Sequence, residues 1–488
     1  MSETEWSGAI ASADAARPPS AETRPDDGRG RTHGLSLIFW LLEQRWPVLL
    51  ALPTLPALAV TLALAPRYWV FPLVWLAVPL FGVVLPLLYL VYRSYQHDAG
   101  PAHWEEVMSF RDPKEGERYR GRKIPMEHAY EAYIAERLDF SVSLETVLLR
   151  RNEFFRFCFT WGDIKFYFAE FLRQNLGHSV RDDRKEVKPV YDRGNDFYGW
   201  FLGESMLYTS GIFRDASESL EAAQRRKLET ICQVAQLSPG DRHLDVGCGW
   251  GALAVHAARE HGTESYGITL AEEQVAHGRK LAEAEGVADR VTLEVRDYRA
   301  LGDRRFDKIT CVEMAEHVGI KNFQRFLLQM RALLEDDGVF YLQIAGLRRA
   351  WQYEDFVWGL FMAKYVFPGA DASCPLGFVV GQAERAGFEV HRVENCGTHY
   401  ALTIQKWYEN WQRNRDAVVE KYGERWFRLW SLFLAWSVLI GNQGSSALFM
   451  LTLTKNLKND GATLPLGRGV RLNRRARWIG TRPVATQQ

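Results

Sequence analysis

The most specific chemistry in this 488-residue chain sits in Asp245-Val246-Gly247-Cys248-Gly249-Trp250-Gly251. An apolar segment ends there in an acid, three glycines follow at alternate positions, and a helix-forming run, Ala252 to Glu260, begins at once. Glycines let the backbone turn tightly and approach a ligand without a Cβ clash. The helix start offers unpaired N–H groups and a partial positive charge. Such a turn suits a nucleotide-like cofactor. Gly247-x-Gly249-x-x-Ala252 also satisfies a loose dinucleotide pattern, which asks for an acid about 20 residues on, at the end of the next strand. The segment Ser265-Tyr266-Gly267-Ile268-Thr269-Leu270 ends without one. The acids stand instead at Asp245 and at Asp297, the latter closing a third apolar segment in Arg296-Asp297-Tyr298. A second group able to move a proton, Glu313, Glu316 and His317, follows a fourth apolar segment.

The elements that must position these residues alternate in type. Apolar patterning predicts strands at 243–246, 265–269, 291–295, 307–312 and 338–344, and helices at 252–260, 271–285 and 321–334. Alternation of this kind gives a doubly wound, mostly parallel α/β sheet, with ligands at the carboxyl ends of its strands. Gly247, Thr269, Asp297 and Glu316 all fall at or just past such ends. The arrangement resembles S-adenosylmethionine (SAM) binding by a class I methyltransferase, in which the glycine turn faces the methionine part and the acid after the third strand faces the adenine. A helix from Glu218 to Ala235 leads into this region. Beyond it come an aromatic-rich insertion (Trp351 to Phe367), a helix (Phe378 to Ala386) and strands at Phe388 to Arg392 and Leu448 to Thr454.

Composition sets the surroundings. Lys+Arg and Asp+Glu are both 60, so no global field points to nucleic acid. The 17 Trp, 19 Tyr and 27 Phe are a heavy aromatic load, favoured at membrane interfaces and around long apolar ligands as well as in cores. Six scattered cysteines without a CxxC pair read as reduced thiols facing a cytosol-like compartment, with no zinc or other metal site.

Residues 1–33 have a disordered composition, with no secretory signal. Trp46 to Ala65 and Trp69 to Tyr92 are uncharged runs long enough to cross a bilayer, joined by Pro66-Arg67. Residues 34–93 therefore read as a two-helix transmembrane hairpin. Arg24, Arg29, Arg31, Arg45 and Arg93 flank its outer ends, which places both termini and the catalytic part in the cytoplasm. Residues 94–188 read as a mixed helical, membrane-proximal region with an aromatic belt from Phe154 to Phe171, divided between core and lipid-facing surface. Residues 189–457 form the SAM domain and 458–488 a basic tail. Trp426 to Leu439 carries Arg428 and is too short to span.

Tyr191-Asp192 with Asn195-Asp196-Phe197-Tyr198, the Leu244–Gly251 turn, Met314-Ala315-Glu316-His317-Val318-Gly319 and His399-Tyr400-Ala401 together resemble the cyclopropane-fatty-acyl-phospholipid synthase family. Lys123-Ile124-Pro125-Met126-Glu127, Tyr208-Thr209-Ser210-Gly211-Ile212, Gln343-Ile344-Ala345-Gly346-Leu347-Arg348 and Trp351-Gln352-Tyr353-Glu354-Asp355 are most similar to its fungal sphingolipid C9-methyltransferase branch. The resemblance covers about residues 40 to 457. It implies methyl transfer from SAM to a carbon–carbon double bond of a membrane lipid chain: a sphingoid base in a ceramide or glucosylceramide, or alternatively an unsaturated fatty acyl phospholipid that becomes a cyclopropane.

The resemblance implies roles as well. Glu316 and Tyr400 match two residues that hold a bicarbonate in cyclopropane synthases. Gln343 replaces that site's histidine and Ser210 its cysteine. A neutral amide cannot share an anion's proton as imidazole does, which counts against bicarbonate and ring closure. Glu316 is then the expected base, directly or through water, with His317 behind it. Tyr400, Glu316, Trp351, Tyr353 and Phe361 are candidates to stabilise the carbocation left by methyl transfer. Tyr191, Tyr208, Thr209 and Ser210 are expected over the methionine end of SAM, with Asp245, Gly247, Cys248, Gly249 and Gly251 in the turn. Thr269, Leu270 and Gln274 are expected on the ribose side and Asp297 and Tyr298 at the adenine.

Overall fold

The structure, a computed structural model, describes residues 85–96, 100–167, 169, 194–350, 352–368 and 374–457. The chain divides after Pro86 into two units, and the central sheet with its helices lies in the second, Leu87–Gln488. The tails expected at 1–33 and 458–488, nearly all of the expected hairpin, Tyr191 and Trp351 lie outside the described residues. Among the described residues no helix is long and apolar enough to cross a membrane.

Seven strands make one sheet: β1 (Arg242–Val246), β2 (Glu264–Thr269), β3 (Val291–Val295), β4 (Phe306–Val312), β5 (Leu334–Leu347), β6 (Phe388–Asn395) and β7 (Ser446–Lys455). Their order is β6-β7-β5-β4-β1-β2-β3. Strands β3, β2, β1, β4 and β5 pair in parallel, and β7 inserts antiparallel between β5 and β6. This is the class I methyltransferase arrangement of a mixed sheet with helices on both faces. The order reverses between β1 and β4, which opens a crevice at their carboxyl ends.

From residue 194 onward the described residues form ten α-helices: α1 (Asn195–Leu202), α2 (Leu220–Val234), α3 (Ala252–His261), α4 (Glu272–Ala284), α5 (Ile320–Leu333), α6 (Tyr353–Phe361), α7 (Leu376–Arg385), α8 (Gly397–Arg413), α9 (Arg415–Tyr422) and α10 (Glu424–Asn442). Side chains alternate across a strand, so β5 serves two cores. Phe340, Leu342 and Ile344 pack with Phe326, Leu327 and Met330 of α5 and Val379 and Ala383 of α7. Tyr341 and Ala345 pack on the other face with Ile231 and Cys232 of α2 and Leu253 of α3. Gln343 shares that second face.

Much of the aromatic load is core. Trp407, Trp411, Trp430 and Trp436 are among the largest fully buried side chains, and the first three pack around Phe197 and Phe201 of α1. The belt before the sheet divides: Phe154, Phe155 and Phe157 are buried, whereas Trp161 is 76% exposed. Arg428 explains why α10 belongs inside the protein, since its guanidinium pairs with Asp139 at 2.6 Å and Glu424 at 3.2 Å.

The segment before α1 docks on the aromatic-rich insertion through charge. Arg151 donates to both oxygens of Glu354 (2.5 and 3.1 Å) and to Gln443 Oε1 (2.7 Å), with both members of the ion pair largely buried. Removing one member of such a pair leaves an uncompensated buried charge, at a cost of about 3–5 kcal/mol. Arg151→Met is therefore expected to lower the urea midpoint sharply. The double variant Arg151→Met/Glu354→Gln should recover part of the loss.

Candidate active site

A cavity opens where the sheet reverses. Its lining comes from the loops after β1 (Asp245 to Trp250), β2 (Thr269 to Ala271), β3 (Arg296 to Arg299) and β4 (Glu313, Met314, His317), closed by Met206 to Thr209 and by Leu228 and Ile231 of α2. Four strands thus deliver their carboxyl-terminal loops to one space.

The glycine turn is shaped by close packing. Gly247 has φ 79°, and a Cβ there would lie 2.6 Å from Met314 Cβ and Cγ. Gly251, with φ 84°, caps α3 and packs against Leu293 and the backbone of Gly278. Both positions combine a left-handed backbone with no room for a methyl. Gly247→Ala is expected to weaken cofactor binding at least about tenfold, because relieving a clash of this size moves the turn; isothermal titration measures it.

Asp245 enters the cavity floor from β1, 2% exposed, with Oδ1 accepting from the Thr310 hydroxyl at 2.9 Å. Burial raises its pKa to about 7, against the lowering effect of that hydrogen bond. Thr310 has a single proton, so donation to Asp245 makes its oxygen the acceptor for His243 Nε2 (2.9 Å), while His243 Nδ1 faces Ser265 Oγ (3.1 Å). Burial keeps His243 neutral, with its pKa lowered to about 3. A polar chain beneath the turn therefore orients Asp245.

Thr269 Oγ1 donates to Gln274 Oε1 at 2.6 Å, and both side chains border the cavity with Leu270. Asp297 caps the short turn after β3, and Arg299 grips its carboxylate (Nε to Oδ1 2.8 Å, Nη2 to Oδ2 2.6 Å). Asp297 is among the residues that line this end of the cavity. Tyr298 packs edge-on against Phe326 and lines the same end.

The opposite end is built around Glu313. It takes a left-handed φ of 51°, unusual for a residue with a side chain, and its N–H donates to the Gln343 carbonyl at 2.9 Å. Its Oε1 accepts from the Thr209 hydroxyl, the Ser210 N–H (3.3 Å) and Gln343 Nε2 (2.6 Å). Gln343 in turn donates to Thr209 Oγ1 (3.0 Å) and accepts from the Tyr341 hydroxyl (2.9 Å). Glu316, on the turn after β4, is buried. Its Oε1 accepts from Ala345 N–H at 2.6 Å, and Oε2 has no hydrogen-bond partner among the described residues. Burial, then the charge of Glu313, raises its pKa to about 8. Tyr400, half-buried at the start of α8, packs on the same cluster as Ala345.

Residues 178–450, more than half of the chain, match the family model described as mycolic acid cyclopropane synthetase. The chain belongs to this family. Sphingolipid C9-methyltransferase A of Emericella nidulans is 47% identical over 363 residues, covering 73% of this chain and 70% of that protein. The sphingolipid C9-methyltransferase of Komagataella phaffii is 44% identical over 367 residues, covering 73% and 75%. Among solved structures, the mycolic acid cyclopropane synthase CmaA1 complexed with SAH and CTAB is 25% identical, with a TM-score of 0.53, covering 56% of this chain and 98% of that one. This cyclopropane synthetase family member is accordingly a SAM-dependent methyltransferase. Its cavity fits the cofactor, with anionic groups at both ends and a turn that has no room for a Cβ at Gly247 or Gly251.

Of the residues expected at the cofactor, Tyr208, Thr209, Asp245, Gly247, Cys248, Gly249, Thr269, Leu270, Gln274, Asp297 and Tyr298 line the cavity. Ser210 and Gly251 stand directly behind it. Of the expected reacting groups, His317 lines it; Gln343 stands behind it in contact with Glu313, and Glu316 and Tyr400 are not among the lining residues. Phe361 is elsewhere: it is buried against Tyr130 and Trp436. Tyr353 packs edge-on against Phe159. Tyr208, Trp250 and Tyr298 line the cavity, and Phe367 lies 6.2 Å from the Tyr208 ring and 6.5 Å from the His317 ring.

The residues here offer less to the bicarbonate that the resemblance implies. Both N–H groups of the Gln343 amide are taken within the protein, by Glu313 and Thr209, so the position a histidine would hold offers no free donor to an anion.

The sequence motifs do not single out Lys227. This lysine of α2 is buried, and its ammonium donates to the Ser210 carbonyl (2.9 Å) and Thr209 Oγ1 (3.3 Å). Burial lowers its pKa to about 8, against the raising effect of Glu313. Its one sequence signal is a polar residue on a stripe otherwise apolar at helical spacing: Leu220, Ala223, Lys227, Ile231. Lys227→Met removes the donor to two buried oxygens, at about 1–3 kcal/mol for each group left unsatisfied. The expected result is a lower denaturation midpoint and looser SAM binding, both measurable on one preparation.

Proposed function

We propose that this enzyme transfers the methyl group of SAM to a double bond in a membrane lipid chain, at C9 of a sphingoid base in a ceramide or glucosylceramide. The carrying observation is the fully committed Gln343 amide beside Glu316, in a chain 44–47% identical to two proteins named sphingolipid C9-methyltransferase. SAM, when bound, supplies an electrophilic methyl on a sulfonium. Asp245 and Glu313 hold the cationic methionine end, with Tyr208 and Thr209 over it. Thr269 and Gln274 hold the ribose, and Asp297 accepts from the adenine amine. The buried aromatic wall excludes water from the alkene. Tyr208, which lines the cavity with Phe367 packed beside it, is the aromatic ring available to stabilise the cation formed on the neighbouring carbon. Glu316, buried just behind the cavity lining with Oε2 unpartnered among the described residues, takes up through a water the proton from the carbon that received the methyl, restoring an alkene that now carries a branch.

The uncharged runs before residue 93 support a membrane anchor for the same enzyme, with the catalytic unit on the cytoplasmic side. Expression in a host whose ceramides carry an unsaturated long-chain base tests the proposal. Lipid NMR should show a methyl-branched alkene only when the chain is present. Modified phospholipid acyl chains with untouched ceramides would contradict it.

A further inference from the structure

Behind the cofactor cavity, α2 and α3 bring together four side chains that play no part in methyl transfer. Glu229 and Cys232 stand three apart on α2. His256 and His261 stand five apart on α3. Cys232 Sγ and one ring nitrogen from each histidine lie within 4.8 Å of one another. Glu229 Oε2 lies 3.4 Å from His256 Nε2 and 3.1 Å from His261 Nε2. One carboxylate oxygen thus sits between two imidazoles, with a thiol alongside.

We propose that these four residues bind a zinc-class divalent cation. A thiolate, two imidazoles and a carboxylate are the mixed sulfur, nitrogen and oxygen donors of a tetrahedral zinc site, whereas magnesium and calcium take oxygen alone. Bond lengths of about 2.0–2.3 Å put ligand atoms roughly 3.3–3.8 Å apart. Small rotamer adjustments of the donors reach that geometry without moving either helix. Cys232 is buried, while the side chains of His256, His261 and Glu229 are 13%, 17% and 39% exposed, so the cation has a route from solvent. Coordination converts the Cys232 thiol to a thiolate and releases its proton to water.

The position gives the cation a task. Leu228 and Ile231 of α2 and Ala252 and Leu253 of α3 border the cofactor cavity, one turn from these ligands. A metal joining the two helices fixes the walls between which SAM binds. The ligand pairs come from two packed helices, which is why cysteine spacing along the chain gives no sign of a metal.

Cobalt titration of the full-length protein, stripped with chelator and dialysed, provides the test. The expected result is one cobalt per chain, with a thiolate-to-cobalt charge-transfer band that equimolar zinc removes. Cys232→Ala abolishes the band, and His261→Ala, at a partly exposed position tolerant of change, weakens cobalt binding at least about tenfold. Cys158→Ala, at a buried cysteine of the segment before α1, leaves both intact. Cobalt retained well below one per chain, a band that survives Cys232→Ala, or unchanged affinity in His261→Ala would overturn the proposal.

Discussion

Glu316→Gln is expected to lower kcat about 100- to 10,000-fold, the range for losing a positioned general base, with SAM affinity changed by no more than about threefold. The amide keeps the shape of the side chain and can still accept from Ala345 N–H, the bond that ties Glu316 to β5. It cannot take a proton. The second expectation for this residue concerns pH. Burial raises the carboxyl to about pKa 8, so near pH 7 only about one tenth is ionised. A base acts in its ionised form. Activity should therefore rise as pH increases from 6, reach half its maximum near pH 8 and level off about one unit above that, and the residual activity of Glu316→Gln should lack this rise. Unchanged turnover in the variant would remove Glu316 from the chemistry and leave Glu313 as the candidate.

Glu313→Gln should act on binding. Its Oε1 gathers three donors from three residues, and its strained backbone is pinned to Gln343. A glutamine there places an NH2 or a weaker acceptor among donors and removes the charge facing the methionine end of SAM. Hydrogen bonds to charged groups contribute about 1.5–3 kcal/mol, so SAM affinity should fall about 10- to 100-fold. The drop should be smaller for SAM analogues lacking the α-amino group. Equal losses for both would assign Glu313 to holding the Thr209–Ser210 segment alone.

The sheet's first five strands and the helices between them were legible because a parallel sheet writes a repeating apolar pattern into the chain. The cofactor end was legible for the same reason, since Gly247, Thr269 and Asp297 each sit at a strand's end. The antiparallel insertion of β7 was not, because strand order is decided by tertiary pairing between residues about a hundred positions apart. Helices α1 and α8 were not legible, because their aromatics, Phe197 and Phe201 or Trp407 and Trp411, meet one another only when the two helices pack; α10 was legible in part, since Trp426 to Leu439 is amphipathic and carries Arg428. Phe361 reads in the sequence as a cation-stabilising face, yet it lies in the core against Trp436. The contacts of Glu313 cross from the end of β4 to β5 and to the segment before α2, so its role emerges only when those segments meet.

The most direct test of methyl transfer with proton loss from the accepting carbon is the fate of the methyl hydrogens. Purified protein, reconstituted with an unsaturated ceramide and SAM bearing a trideuterated methyl group, should yield a lipid retaining all three deuterium atoms on a branch methyl beside an alkene. A product retaining two, in a cyclopropane ring, would contradict both the role given to Glu316 and the reading of Gln343.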